Sequence, residues 1–243
     1  MHKLFSIALI PLAIASGGIA NEQHIPQSGY IIAQQSTDWI ATIFQRRPKK
    51  RNGARGGTIC PIAPGLVETY IVWSDRPLFL WHSSGTNQAA QLVVREYDSQ
   101  KVVWQQPVNI ADQKVSYSAQ ESLEPGKLYQ WQLSGSPEST PWTTFKIMPA
   151  SDRQKIQADL QTLEQQLKAT KASSEEIALK KADYFLNYEI KHTTESGTFH
   201  PWADAFQVLY QVDNPSSSFI AQRTKFVTDV CTQPPSSTTS QVK

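Results

Sequence analysis

The side chains best suited to general base catalysis or metal binding near neutral pH are histidines, of which the sequence has five. They are His2, His24, His82, His192 and His200. None lies in an H-E-x-x-H motif or at another spacing typical of a zinc site. His82 and Ser83 are neighbours on a predicted strand, where adjacent side chains point apart, and no G-x-S-x-G turn presents a serine nucleophile. We therefore expect no catalytic histidine and no metal site.

Motifs for phosphate binding and for paired carboxylates are also missing from the sequence. No G-x-x-x-x-G-K-[ST] loop occurs, and the glycines from Gly53 to Gly57 are not followed by a predicted helix. Glu121 and Glu124 precede a turn, so we expect them to be solvated rather than to form a general acid and base pair. The sequence thus predicts a protein that is not an enzyme and that uses no cofactor.

The first 20 residues have the order of a secretory signal peptide. A short positive start precedes an apolar run from Leu4 to Ile14, and small residues follow up to Ala20. The apolar run is too short for a membrane span and is broken by Pro11. Asn21 stands where a lipoprotein would have cysteine. We expect cleavage after Ala20, export to the periplasm or the extracellular space, and no integral membrane segment in the mature chain.

Cys60 and Cys231 are the only two cysteines of the chain. An even number in a non-reducing compartment makes a disulfide between them a reasonable interpretation. The alternative is two free thiols, with Cys60 in a loop and Cys231 on the last helix, because sequence spacing does not give their distance. Their number and spacing exclude a C-x-x-C redox pair and a cysteine zinc site.

Basic residues cluster between positions 46 and 55, although the net charge of the whole chain is only +2. They are Arg46, Arg47, Lys49, Lys50, Arg51 and Arg55. Pro48 and the neighbouring glycines oppose a helix or strand here. Two interpretations stay open, a flexible contact for an anionic polymer, lipid headgroup or acidic partner, and a solvated linker. No nucleic-acid partner is expected, because no aromatic residue that could stack on bases lies among these charges.

Apolar and polar residues alternate in short runs between Leu66 and Met148, which predicts half-buried strands. The runs are Val67–Trp73, Leu78–His82, Gln91–Tyr97, Val102–Asn109, Lys114–Ala119, Lys127–Ser134 and Trp142–Ile147. Turn residues separate them, so we expect antiparallel connections in an immunoglobulin-like or fibronectin-like sandwich. Tyr129 and Trp131 follow a Pro-Gly turn, and this stretch resembles the start of strand F in such domains, where a tyrosine contacts upstream backbone.

Tryptophans are frequent in the strand region and allow two interpretations. They are Trp73, Trp81, Trp104, Trp131 and Trp142. Exposed rings could stack on the sugar faces of a glycan, whereas rings at alternating strand positions fill the space between two sheets. We favour the core position for most of them and expect Trp104 and Trp142, which polar or turn residues flank, to be exposed.

Apolar residues recur with helical spacing from Ser151 onwards. Capping boxes at Ser151 and Ser173 predict the starts of two helices, of which the first ends near Lys171. Pro201, at an expected first helical position, and the Asn214-Pro215 pair predict the starts of two more. Four amphipathic helices with short connections favour two antiparallel helix hairpins.

Four motifs occur in an order that is informative as a set. They are Arg55-Gly56-Gly57-Thr58-Ile59-Cys60-Pro61, Pro77-Leu78-Phe79-Leu80-Trp81, Leu123-x-x-Gly126-x-x-Tyr129-x-Trp131 and Trp202-x-Asp204-Ala205. The order resembles a cyanobacterial exported family, domain of unknown function 928. Many members would have a cysteine soon after the Tyr-x-Trp strand, where this chain has Leu133 and Ser134, so the resemblance leaves Cys231 as the partner of Cys60. It implies export and this fold, and it implies no activity.

The sequence therefore predicts an α+β protein in which an immunoglobulin/fibronectin-like antiparallel β-sandwich precedes a C-terminal helical hairpin unit. The segments are a signal peptide (1–20), a flexible basic lead-in (21–57), the β-sandwich domain (58–149), the helical domain (150–231) and a disordered tail (232–243). For function we predict an exported, non-enzymatic binding or assembly protein of the cell envelope, with an envelope protein or polymer as partner. The alternative is a glycan-binding or glycan-active protein that uses Trp104 and Trp142.

Overall fold

The computed structural model describes residues 42–48, 59–85, 87–135, 139–191 and 197–232. The predicted signal peptide and residues 233–243 of the predicted tail lie outside these ranges, as do Lys49, Lys50, Arg51 and Arg55. No helix among the described residues is long and apolar enough to cross a membrane.

Within the described ranges, eight strands form two sheets. They are β1 (Ile59–Ala63), β2 (Ile71–Val72), β3 (Leu78–Ser83), β4 (Ala89–Glu96), β5 (Val102–Asn109), β6 (Lys114–Ser116), β7 (Leu128–Gly135) and β8 (Thr143–Ile147). One sheet has the order β1-β3-β6 and the other the order β2-β8-β7-β4-β5. All pairs are antiparallel except β2 and β8, which run parallel. Each predicted run overlaps one of these strands, and β1 is an eighth strand that the sequence did not indicate.

In the described part of the chain, four helices follow the strands, which confirms the mixed α+β class. They are α1 (Ala150–Ala169), α2 (Ser174–Asn187), α3 (Trp202–Tyr210) and α4 (Ser217–Thr232). The Ser173 side chain accepts a hydrogen bond from the Glu176 backbone N–H at 3.2 Å, as its capping box predicts. The capping box at Ser151 is wrong, because α1 starts after Pro149 and has no side-chain cap. At α4 the capping oxygen belongs to Ser216 rather than to Asn214.

The three-stranded sheet is the middle layer of the fold. On β3, Phe79 and Trp81 belong to the apolar cluster between the two sheets. Leu80 points the other way and belongs to a second apolar cluster, which also contains Phe185 and Phe206 from the helices. Both faces of β3 are therefore buried, and the helices cover the face of this sheet that points away from the five-stranded sheet.

Residues 42–45 form one helical turn that packs into the helical side of the core. Ile43 is 1% exposed. The Phe44 ring forms T-shaped contacts with Phe219 and Phe226, with ring centroids 6.3 Å and 5.5 Å apart. The prediction of a flexible lead-in over 21–57 is therefore wrong for residues 42–48, where apolar side chains bury against α4.

Candidate functional site

A disulfide joins the sheets to the last helix. Cys60 on β1 and Cys231 on α4 are bonded, with their Cα atoms 6.2 Å apart and 171 positions of sequence between them. Cys60 lies on an edge strand rather than in the predicted loop. The bond fixes α4 to the middle layer of the fold.

The two basic residues of the lead-in that the structure describes are paired within the protein. The Arg46 guanidinium donates to the backbone carbonyl of Leu186 at 2.8 Å, and it lies 3.3 Å from an Asp183 carboxylate oxygen. Arg47 lies 3.4 Å from an Asp229 carboxylate oxygen. The hypothesis that Arg46 and Arg47 are contacts for an anionic partner is therefore not supported, because both charges already have acidic neighbours on the helices.

Trp104 is a core residue rather than an exposed stacking platform. It pairs in register with Val94, whose side chain lies between the sheets. The Trp104 ring stacks on Phe79 at 5.8 Å and packs against Tyr117 at 5.1 Å between centroids. Its side chain is half-buried, so the expected exposure does not hold.

Trp142 is half-buried on the opposite, outer face of the five-stranded sheet. The Arg95 guanidinium carbon lies 3.6 Å from the centre of its ring and covers one ring face. Arg95 in turn donates to the Gln130 side-chain oxygen at 2.9 Å, and the Gln130 amide donates to the Thr144 hydroxyl at 3.2 Å. Because Trp104 and Trp142 lie on opposite faces of the sheet, they cannot form one surface for stacking on a sugar.

Two side chains on α3 hold the loop between β2 and β3. The Asp204 carboxylate accepts hydrogen bonds from the backbone N–H groups of Trp73 and Ser74, both at 2.9 Å. The Gln207 side-chain oxygen accepts from the Leu78 N–H at 3.0 Å, and its amide donates to the Arg76 carbonyl at 3.2 Å. This gives a physical role to the Asp204 of the Trp-x-Asp-Ala motif, which attaches the helices to the sheets.

Burial raises the pKa of Asp204 to about 6, although the N–H groups of Trp73 and Ser74 and the charge of Arg153 act in the opposite direction. A buried carboxyl with a raised pKa beside a cavity is a common sign of a catalytic acid. A cavity of about 390 Å³ does adjoin Asp204. Both carboxylate oxygens are occupied by backbone donors, however, so the observed geometry indicates a structural carboxyl.

A groove of about 520 Å³ lies between the helical turn at residues 42–45, α2 and α4. Apolar side chains that line it are Phe44, Leu179, Phe219 and Phe226. The charged side chains that line it are Arg47, Glu175, Lys225 and Asp229. Asp229 forms ion pairs with both cations. One of its carboxylate oxygens lies 2.7 Å from the Lys225 ammonium and 3.4 Å from the Arg47 guanidinium. The groove thus combines apolar walls with fixed charges of both signs.

Comparison with known proteins does not add a function to this geometry. No family model, no curated protein and no solved structure matches the chain. Within the described ranges, histidine, cysteine, aspartate and glutamate side chains form no group of three that could hold a metal ion. No sequence pattern indicates the groove, because it is assembled from residues that lie far apart in the chain.

Proposed function

We propose that this chain is an exported, non-enzymatic binding protein of the cell envelope and that its partner is an envelope protein. The observation that carries the proposal is the groove between the 42–45 turn, α2 and α4. Its volume of about 520 Å³ accommodates several side chains of a partner. Its charged residues of both signs would fix the orientation of such a segment.

The chemistry of the groove favours a protein over a polysaccharide or an anionic polymer. The half-buried Phe44 ring keeps apolar surface that an apolar side chain of a partner can cover, and a sugar or a polyanion offers little such surface. The described lining carries two cations, Arg47 and Lys225, and two acids, Glu175 and Asp229, so it has no net positive charge to attract a polyanion. An amphipathic segment with an apolar face and flanking charges matches the groove on both counts.

Export is supported by the order of residues in positions 1–20 and, weakly, by the disulfide between Cys60 and Cys231. Disulfides persist in oxidising compartments and are rare in reducing ones. A fusion of residues 1–41 to alkaline phosphatase tests export, since the enzyme is active only after its own disulfides form. We expect activity that is lost when the apolar run from Leu4 to Ile14 is deleted. An inactive fusion would refute the export half of the proposal.

We also propose that the two sheets are an immunoglobulin/fibronectin-like sandwich. The orders β1-β3-β6 and β2-β8-β7-β4-β5 correspond to strands A-B-E and A′-G-F-C-C′ of such domains. In addition, the Tyr129 hydroxyl accepts a hydrogen bond from the Glu124 N–H at 2.9 Å, which is the contact of a tyrosine corner. Membership of the domain of unknown function 928 family stays a proposal that rests on the order of the four motifs.

The glycan alternative has no specific observation in its favour. The two rings that it requires, Trp104 and Trp142, are on opposite sides of one sheet, and the Arg95 guanidinium covers one face of the Trp142 ring. We therefore retain the protein-binding proposal.

A photo-crosslinking amino acid at Gln222 tests the groove directly. Gln222 lines the groove and is exposed, so the replacement does not disturb the core. The matched control carries the same amino acid at Gln157, an exposed position on α1. In living cells we expect a discrete envelope-protein adduct from position 222 alone, and we expect Ser218→Arg, which places a large charged side chain at the groove, to abolish it.

The adduct then defines a quantitative assay with the purified partner. Binding should weaken at least about tenfold in Ser218→Arg, which corresponds to about 1.4 kcal/mol, and should be unchanged in Gln157→Arg. The same adducts from positions 222 and 157, or none from either, would refute the proposal that the groove binds a partner.

A further inference from the structure

Arg223 on α4 is a buried cation without an acidic partner among the described residues. It is only 9% exposed. Its Nη1 donates to the backbone carbonyl of Leu209 at 3.0 Å, and its Nε is buried with no hydrogen-bond partner. Arginine stays protonated at all physiological pH values, so it cannot relieve this situation by losing its charge. Buried charges in proteins are normally paired, because an unpaired one has a large desolvation cost.

Two nitrogens on one edge of the Arg223 guanidinium donate to no acceptor among the described residues. Nη1 donates to Leu209, Nε is buried without a partner, and Nη2 forms no described hydrogen bond. The N–H groups of these two nitrogens lie in the guanidinium plane and point in parallel from the same edge. That edge is the fork with which arginine binds both oxygens of a carboxylate or two oxygens of a phosphate.

A second cation lies at the same place. The Tyr210 ring has the Arg223 guanidinium carbon 4.1 Å from its centre and the Lys114 ammonium 4.9 Å from its centre. Lys114 stands on β6, on the other side of the boundary between sheets and helices, and no described carboxylate pairs with it. Burial and the charge of Arg223 lower the pKa of Lys114, which indicates that the two cations repel each other.

The aromatic ring compensates these charges only in part. A cation over a ring face is weakly attracted by the ring quadrupole, and one ring here serves two cations. The Tyr210 hydroxyl adds a further donor, and within the described part of the chain it has no hydrogen-bond acceptor. Two cations thus adjoin one tyrosine ring, and no carboxylate among the described residues pairs with either of them.

We propose that Lys114, Tyr210 and the Nε–Nη2 edge of Arg223 form a binding site for an oxyanion, either a phosphate or a carboxylate group. The anion supplies the missing negative charge, accepts from the guanidinium edge, and draws in the flexible Lys114 side chain. Because Lys114 belongs to a sheet and the other two residues belong to helices, binding ties the two layers together. An oxyanion should therefore stabilise the folded protein as well as bind to it.

The test measures the thermal stability and the calorimetric binding of the full chain with sodium phosphate, sodium sulfate and sodium acetate. Sodium chloride at the same ionic strength is the reference, which removes the general effect of salt. We expect a saturable rise in Tm with at least one oxyanion. Preference for phosphate and sulfate identifies a tetrahedral ligand group, and preference for acetate identifies a carboxylate.

Lys114→Gln is the decisive variant, because Lys114 is exposed and forms no described hydrogen bond, so its loss leaves the fold intact. We expect its Kd for the preferred anion to rise at least about tenfold, equivalent to about 1.4 kcal/mol. The control Lys155→Gln removes an exposed lysine from α1 and should bind as the unmodified chain does. Arg223→Lys keeps the charge without the fork and should also weaken binding. Equal affinity in Lys114→Gln and Lys155→Gln, or no saturable response at all, would overturn the proposal.

Discussion

Protonation of Asp204 should stabilise the fold. Its pKa is about 6 in the folded chain against an ordinary value of 3.8. The folded state therefore binds this proton more tightly than the unfolded chain does. The resulting stabilisation is complete below pH 3.8 and is lost as the pH rises through about 6. At 1.36 kcal/mol per pH unit the full effect is about 3 kcal/mol, of which about 2 kcal/mol is present at about pH 4.5.

Two variants isolate this effect in urea unfolding followed by circular dichroism between about pH 4.5 and 7.5. Asp204→Asn cannot titrate and keeps one acceptor for the N–H groups of Trp73 and Ser74, so it should fold with a stability lower by about 1 to 3 kcal/mol. The unfolding free energy of the natural chain minus that of this variant should rise by about 2 kcal/mol as the pH falls to about 4.5. The control Gln207→Ala loses hydrogen bonds to the same loop, and it should keep the pH dependence of the natural chain.

A pH dependence of the opposite sign would also have a defined physical cause. The two backbone N–H groups and the positive charge of Arg153 all favour the ionised carboxylate. If they outweigh burial, the difference between the natural chain and Asp204→Asn falls with falling pH instead of rising. A flat or falling difference would refute the assignment of burial as the dominant cause.

Three further changes test individual contacts. Cys60→Ser removes the disulfide to Cys231, and the chain-entropy estimate for a loop of 171 residues predicts a loss of up to about 5 kcal/mol; a variant that matches the oxidised protein in chemical denaturation would contradict this. Tyr129→Phe leaves the Glu124 N–H without its acceptor and should cost about 1 to 3 kcal/mol, whereas an unchanged urea midpoint would show that water replaces the hydroxyl. Ser173→Ala removes the N-terminal cap of α2 and should lower the unfolding free energy by about 1 kcal/mol, and Ser173→Thr, which keeps a capping oxygen, should lose less.

Alternation and turn residues were sufficient to predict strands β2 to β8. All of these strands except β3 have a more buried face and a more exposed one, and β3, which is buried on both faces, is bounded by turn residues on both sides. Strand β1 has no such signal. It contains Pro61, and its register with β3 shifts between Pro61 and Ala63. Its second face is covered by helices that come much later in the chain. The local sequence of β1 therefore indicates a loop and not a strand.

The proposed oxyanion site was much less predictable than the fold, since it depends on contacts across the boundary between sheets and helices. Lys114 lies far from Tyr210 and Arg223 in the chain, and none of the three stands in a charged run or a motif. The basic segment is visible in the sequence because its charges cluster between positions 46 and 55. Its first two arginines nevertheless pair with Asp183 and Asp229, which no local pattern connects to them.

The covalent link between Cys60 and Cys231 also sets an order in time for the maturation of the chain. Ribosomes deliver the first strand long before the last helix, and the thiol of Cys60 has no partner until Cys231 emerges. The helical face of β3 likewise stays uncovered until α3 and α4 arrive. A product terminated before α4 would therefore retain an open apolar surface and one reactive thiol, and both features would mark it for degradation.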